Sequence, residues 1–160
     1  MQHETVGRPM EILLVEDSLM FARIAIGAMQ QGHVQHRLTW LNDGSEAMRF
    51  LHREGKYAVA PRPDLLLLDL KLPGLDGREL LAKVRSDPEL KSLPVVVMTG
   101  EGEQTQLGDL SVEAFLTKPL DLPKFIEIVQ KLSNFWKADM VLPSAAMMTP
   151  PPLDAGNSSN

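Results

Sequence analysis

The residues able to do chemistry in this chain stand at the ends of short apolar runs. Glu16 and Asp17 follow EILLV, Asp69 ends the four-leucine run of PDLLLLD, Thr99 closes LPVVVMT, and Lys118 closes VEAFLTK. A carboxylate placed after four leucines either caps the end of a strand or is displayed there for chemistry. Each residue has an ordinary explanation when taken alone. Acids favour the positive N-terminus of a helix, threonine is a common strand residue, and a lysine is usually a solvated charge. Their joint occurrence at successive run ends is what points to chemistry.

The elements that must position them follow from the same runs. EILLV reads as a strand buried on both faces. SLMFARIAIGAMQQ then repeats Phe21, Ile24, Ala25 and Ala28 at helical spacing. VQHRLTWL, from Val34 to Leu41, is a second strand, and DGSEAMRFLHRE a second helix, opened by Asp43 with Glu46 three residues on, the signature of a capping box. PDLLLLDL is the third strand. Asp76 and Glu79 give the same capping signal before a helix carrying Leu80, Leu81 and Val84, which SDPEL ends because Pro88 lacks an amide donor. Leu93 to Thr99 and Val112 to Lys118 are strands four and five, and a last helix starts near Asp121 with Phe125, Ile128, Val129 and Leu132 on its apolar face.

Five apolar strands alternating with helices predict a doubly wound α/β domain with a parallel sheet covered on both sides. Between Thr99 and Val112, the glycine-rich GEGEQTQLGDLS predicts that the fourth helix is short or irregular. Residues 1–10 read as an N-terminal extension, 11–136 as the domain, and 137–160, rich in Pro, Ser, Asn and Gly without periodicity, as a flexible tail.

In an open parallel sheet, ligands bind outside the carboxyl ends of the strands. That places Glu16, Asp17, Asp69, Thr99 and Lys118 on one rim. Carboxylates gathered there repel one another by on the order of 4 kcal/mol per close pair at an effective dielectric near 20, so a cation is called for. Oxygen donors without His or Cys favour a hard ion, and Mg2+ suits few protein ligands completed by water and phosphate oxygens. Such a layout accepts a phosphoryl group. Asp69 attacks phosphorus, the ion and Lys118 neutralise the equatorial oxygens, and Thr99 donates a hydrogen bond to one of them.

Composition narrows the alternatives. The 160 residues, 44% hydrophobic, suit one domain; the absence of cysteine removes disulfides and thiolate metal sites; and a net charge of -5 without a basic stripe disfavours binding to nucleic acid. No window approaches the ~20 apolar residues of a membrane span, and the N-terminus has no signal-peptide pattern. A cytoplasmic location and no membrane partner are the expectation.

The segments LLVEDS, LLLLDLKLPGLDG, VVVMTG and FLTKP resemble the acidic pair, phosphoacceptor, switch threonine and Lys-Pro motifs of response-regulator receiver domains in two-component signalling. Over PRPDLLLLDLKLPGLDGRELLAKVRSDPELKSLPVVVMT, the chain is most similar to stand-alone receivers paired with phytochrome-type histidine kinases. The resemblance implies a flavodoxin-like sheet of order 2-1-3-4-5 and a phosphoryl donor that is a sensor histidine kinase or phosphotransfer protein. It further implies Mg2+ held by Glu16, Asp17, Asp69 and the backbone carbonyl of Lys71, and a cis bond from Lys118 to Pro119. Phe115 falls where the family places its switch aromatic, moving as Thr99 moves. Lys71 and Glu101 flank the site where the family tunes phosphoryl lifetime, and are expected to pair across the pocket mouth.

With 24 residues after Trp136, output is expected through contacts with an unidentified protein, by a monomer or weak homodimer. Two other functions compete. A phosphatase working through an aspartyl phosphate carries, as a family, a second Asp two places after the nucleophile, where this chain has Lys71. A receiver-like module that is never phosphorylated would not need the full set of five groups.

Overall fold

The computed structural model describes residues 8–32, 35–100 and 107–132. Five strands, β1 (Met10–Val15), β2 (His36–Leu41), β3 (Leu65–Asp69), β4 (Val95–Thr99) and β5 (Ala114–Thr117), form one parallel sheet in the order β2-β1-β3-β4-β5. The helices are α1 (Leu19–Gln31), α2 (Gly44–Leu51), α3 (Gly77–Ser86) and α4 (Leu122–Lys131), with a 3-10 turn at Gly55–Tyr57 that the sequence pattern did not announce. This is the doubly wound, flavodoxin-like fold expected.

The apolar runs divide their side chains between two cores, as the period of two in a strand requires. Ile12, Leu14, Leu65, Leu67, Val96 and Met98 pack against α1 and α4 on one face. Leu13, Val15, Leu66, Leu68, Val95 and Val97 pack against α2 and α3 on the other. β3 is buried at every position, whereas the edge strand β2 is mostly half-covered and β5 exposes Phe115 and Thr117. At roughly 1.5–3 kcal/mol for each fully buried large apolar side chain, the leucine run of β3 is the mechanical centre of the domain.

Three caps start helices where the sequence placed them. Ser18 Oγ accepts from the Phe21 amide, Asp76 from that of Glu79, and Asp121 from that of Lys124. The capping box at α2 is only half made. Asp43 accepts from the amides of Ser45 and Glu46, but the Glu46 carboxylate receives the Tyr57 hydroxyl at 2.6 Å instead of returning to Asp43. In α1 the predicted stripe is rotated. Ala22, Ala25 and Met29 face the core, while Ile24 is exposed and Phe21 only half-buried. Small alanines bring this helix close to the sheet and turn the larger residues outward. Between β4 and β5, residues 107–113 form turns without a helix; residues 101–106 of that interval, Val34 and the proposed tail lie outside the described residues.

Two glycines shape the loop that follows β3. Gly74 has φ +70°, which L side chains rarely adopt. Gly77 starts α3 so near the strand end that a Cβ would overlap the carbonyl oxygen of Asp69 and the Cα of Leu70. Gly77→Ala is therefore expected to push α3 away from the end of β3 and cost about 1–3 kcal/mol. Urea unfolding measures it; an unchanged midpoint would show that the helix yields without cost.

Candidate functional site

Register brings the candidate residues together. Val15 lies opposite Leu68, so the next residues, Glu16 and Asp69, leave adjacent strands side by side. Asp69 lies opposite Met98, and Thr99 opposite Thr117, which puts Thr99 one step and Lys118 two steps further along the same rim. The Lys118 amide donates to the Thr99 carbonyl at 2.7 Å. The peptide bond between Lys118 and Pro119 is cis.

Lys118 bridges the two inner acids. Its Nζ lies 3.0 Å from Glu16 Oε2 and 3.0 Å from Asp69 Oδ2. The Lys71 amide donates to Asp69 Oδ1 at 3.0 Å, and the Ser18 amide to Glu16 Oε1 at 3.1 Å. One carboxylate oxygen from each of Glu16, Asp17 and Asp69 falls within a common span of 4.8 Å. Asp17 is exposed, while Glu16 is fully buried and Asp69 only 3% exposed. The terminal aspartate is thus not displayed on the surface. It sits under the lysine, because its charge needs that partner in a site walled by apolar strands.

Burial raises the Glu16 carboxyl to about 7, against the hydrogen bond from Lys118 that favours the charged form. Burial alone would lower Lys118, but its hydrogen bonds to Glu16 and Asp69 prevail and hold the ammonium above its ordinary value. Glu16 Oε2 has an ion pair but no directed hydrogen bond. An orphaned, buried carboxylate oxygen beside two further acids is a donor set suited to a hard cation.

Two neighbours were not legible as site residues. The Trp40 indole donates to the backbone carbonyl of Glu16 at 2.7 Å, fixing the turn from which both acids project. The Phe21 ring lies 4.8 Å from Lys118 Nζ, a cation–π contact. Helical spacing assigned Phe21 to the core; the aromatic four residues past Asp17 was the only hint of its place. Phe115 is 50% exposed on β5 and is not part of either core. Glu101 lies outside the described residues, and with it the proposed pairing to Lys71. No helix among the described residues is long and apolar enough to cross a membrane.

Comparison with known proteins places this arrangement. The family described as response regulator receiver domain matches residues 12–130. Response regulator Rcp1 of Synechocystis sp. is 41% identical over 140 residues, covering 86% of this chain and 95% of Rcp1. The crystal structure of the Mn(2+)-bound form of Rcp1 superposes with a TM-score of 0.65 at 40% identity, over 85% of this chain and all of that one. The phosphorylated cyanobacterial phytochrome response regulator RcpA gives 0.63 at 40% identity, over 86% of this chain and all of that one. The bacteriophytochrome response regulator AtBRR gives 0.74 at 34% identity, over 81% of this chain and 96% of that one.

The raised Glu16 pKa has a consequence for stability. Between its unfolded value near 4.5 and about 7, the folded chain holds a proton that the unfolded chain releases. Stability from this group is therefore full below that window and is lost as pH rises through it. In chelator, the melting temperature is expected to fall as pH rises through that window, and Glu16→Gln to flatten the slope. A wild-type slope of the opposite sign would contradict the assignment.

Proposed function

This chain belongs to the response regulator receiver domain family, and from that premise we propose that Asp69 accepts a phosphoryl group from the phosphohistidine of a sensor histidine kinase or phosphotransfer protein. The carrying observation is the Lys118 ammonium, 3.0 Å from the carboxylates of both Asp69 and Glu16. An Asp69 oxygen attacks phosphorus, the P–N bond of the donor breaks, and its electron pair returns to the imidazole. No base is required, because an ionised carboxylate is itself a nucleophile. For the phosphoryl group to enter, Lys118 lifts from Oδ2 and passes its charge to the incoming oxygens. The Lys71 amide stays on Oδ1 and holds the carboxylate in place.

The three acids and the Lys71 carbonyl are the groups we assign to Mg2+. The orphaned oxygen of Glu16 and the purely oxygen donor set support this choice, as does the Mn(2+)-bound form of Rcp1. When bound, the ion supplies neutralising charge for the phosphoryl oxygens. Thr99, at the end of β4, donates its hydroxyl to one of those oxygens. Phe115, half-exposed on the neighbouring strand, turns inward as Thr99 moves, so that a charge change becomes a change of surface. That surface signals by binding a downstream protein. Phosphorylation in RcpA, and the phytochrome association named for RcpA and AtBRR, favour this reading over a phosphatase or a silent module.

Intact mass after incubation with Mg2+ and a small-molecule phosphodonor tests it. One added phosphoryl group is expected on the wild type and none on Asp69→Asn or in chelator. Lys118→Ala is expected to slow the transfer about 100-fold. Absence of any adduct would favour the silent module, and rapid multiple turnover the phosphatase. Trp40→Phe, which removes the hydrogen bond to the Glu16 carbonyl, is expected to weaken Mg2+ binding about tenfold by calorimetry. Unchanged affinity would make Trp40 a packing residue only.

A further inference from the structure

The opposite end of the sheet carries a second concave site. A groove of about 670 Å³ opens at the amino ends of β1 and β3, against the C-terminus of α2 and the turn before β4. Its volume is that of a small-ligand pocket. Leu51, Leu90 and Leu93, each less than a tenth exposed, contribute apolar walls. Four arginines, Arg8, Arg37, Arg53 and Arg62, line it against three acids, Glu11, Asp64 and Glu89. The local balance is one positive charge (four minus three) on a chain whose net charge is -5.

The four arginines are not equivalent. Arg8 is committed to structure, since its guanidinium grips Asp64 through two hydrogen bonds of 2.7 and 2.9 Å. Arg37 and Arg62 approach Glu11 and Glu89 at 3.6 Å, with their own side chains 73% and 60% exposed, Glu89 exposed as well and Glu11 only 13% so. At that distance and arginine exposure, the Arg62 pair in particular contributes little and is readily exchanged for a better anion. Among the described residues, the Arg53 side chain makes no hydrogen bond or ion pair. Its backbone is also the one non-glycine position described with positive φ, at 56°.

That backbone conformation has a local cause. The Glu54 amide bonds to the Arg49 carbonyl and the Arg53 amide to that of Phe50, the pairing that ends a helix with a left-handed residue. Glycine is the usual occupant there; this chain instead holds an arginine at the edge of the groove, against its own backbone preference. Guanidinium groups grip phosphate oxygens through paired N–H donors.

We propose that this groove binds a small phosphate-bearing molecule of nucleotide size, its phosphates held by Arg53, Arg62 and Arg37 and its less polar body against the leucines. The site is separate from the rim that holds Asp69, and it does not depend on the function assigned to that rim.

Calorimetry on the full chain in chelator, with ATP, a cyclic dinucleotide, pyrophosphate and citrate as probes, tests this. Saturable binding of a nucleotide with Kd below about 1 mM is expected. Arg53→Gly should weaken it roughly tenfold or more, while suiting the left-handed backbone and so leaving the fold intact. Arg62→Ala should weaken it as well, and Asp69→Asn should not. Pyrophosphate binding weaker than nucleotide binding would support a contribution from the body of the ligand; equal binding would support recognition through phosphate alone. No saturable binding of any phosphate probe, citrate binding as tightly as the nucleotides, or nucleotide affinity indifferent to Arg53→Gly would overturn the proposal.

Discussion

One ammonium group holds the functional rim together. Lys118 Nζ stands 3.0 Å from a carboxylate oxygen of each of two buried acids, and it is the only lysine or arginine within ion-pair distance of Glu16 or Asp69 among the described residues. Without it, Glu16 and Asp69 would face each other across adjacent strand ends in a site with little solvent to screen them. The remaining contacts refine this bridge. Amides of Ser18 and Lys71 fix one oxygen of each acid, Phe21 offers its ring face to the ammonium, and Trp40 anchors the turn that carries Glu16. Burial raises the Glu16 carboxyl to about 7 against the hydrogen bond from Lys118, with the nearby Asp69 charge adding to the rise.

The sheet makes that bridge achievable. Parallel strands of similar length, held in register by Val15 against Leu68 and by Thr99 against Thr117, end on a common line. Polar residues placed one position past each apolar run are then brought together with no long-range search by their side chains. The same leucines that bury β3 on both faces fix the position of Asp69, so packing energy is converted into precision at the site. Gly77 allows α3 to start against the end of that strand and closes the loop around it.

Much of this was legible because strand ends carry a strong signal. Uninterrupted apolar runs of four or five residues cannot alternate between core and solvent, and so they report parallel strands directly. The cap at Asp76 is equally local, since it depends on a side chain and an amide three residues away. What the sequence did not reveal depends on neighbours distant in the chain. The rotation of α1 follows from how closely Ala22 and Ala25 approach the sheet, the half-made box at Asp43 from Tyr57 competing for Glu46, and the role of Trp40 from its pairing with a strand that ends 25 residues earlier (40 minus 15). The near-complete burial of Asp69 was hidden for the same reason, because its cover comes from Lys118, 49 positions on (118 minus 69).

That burial changes how the rim should be understood. A carboxylate that is 3% exposed and paired with a lysine is not an open nucleophile; it is held in a closed ground state. Lys118 keeps a second carboxylate, Glu16, within 3.3 Å at either oxygen, so releasing Asp69 does not strand its charge. In the transfer proposed above, an arriving phosphoryl group would bring its own negative oxygens to the space the ammonium vacates, and the lysine would exchange one anionic partner for another. The same bridge that joins the two acids would therefore present its charge where the proposed phosphoryl transfer needs it, and the motion required would be that of one flexible side chain instead of a strand or helix.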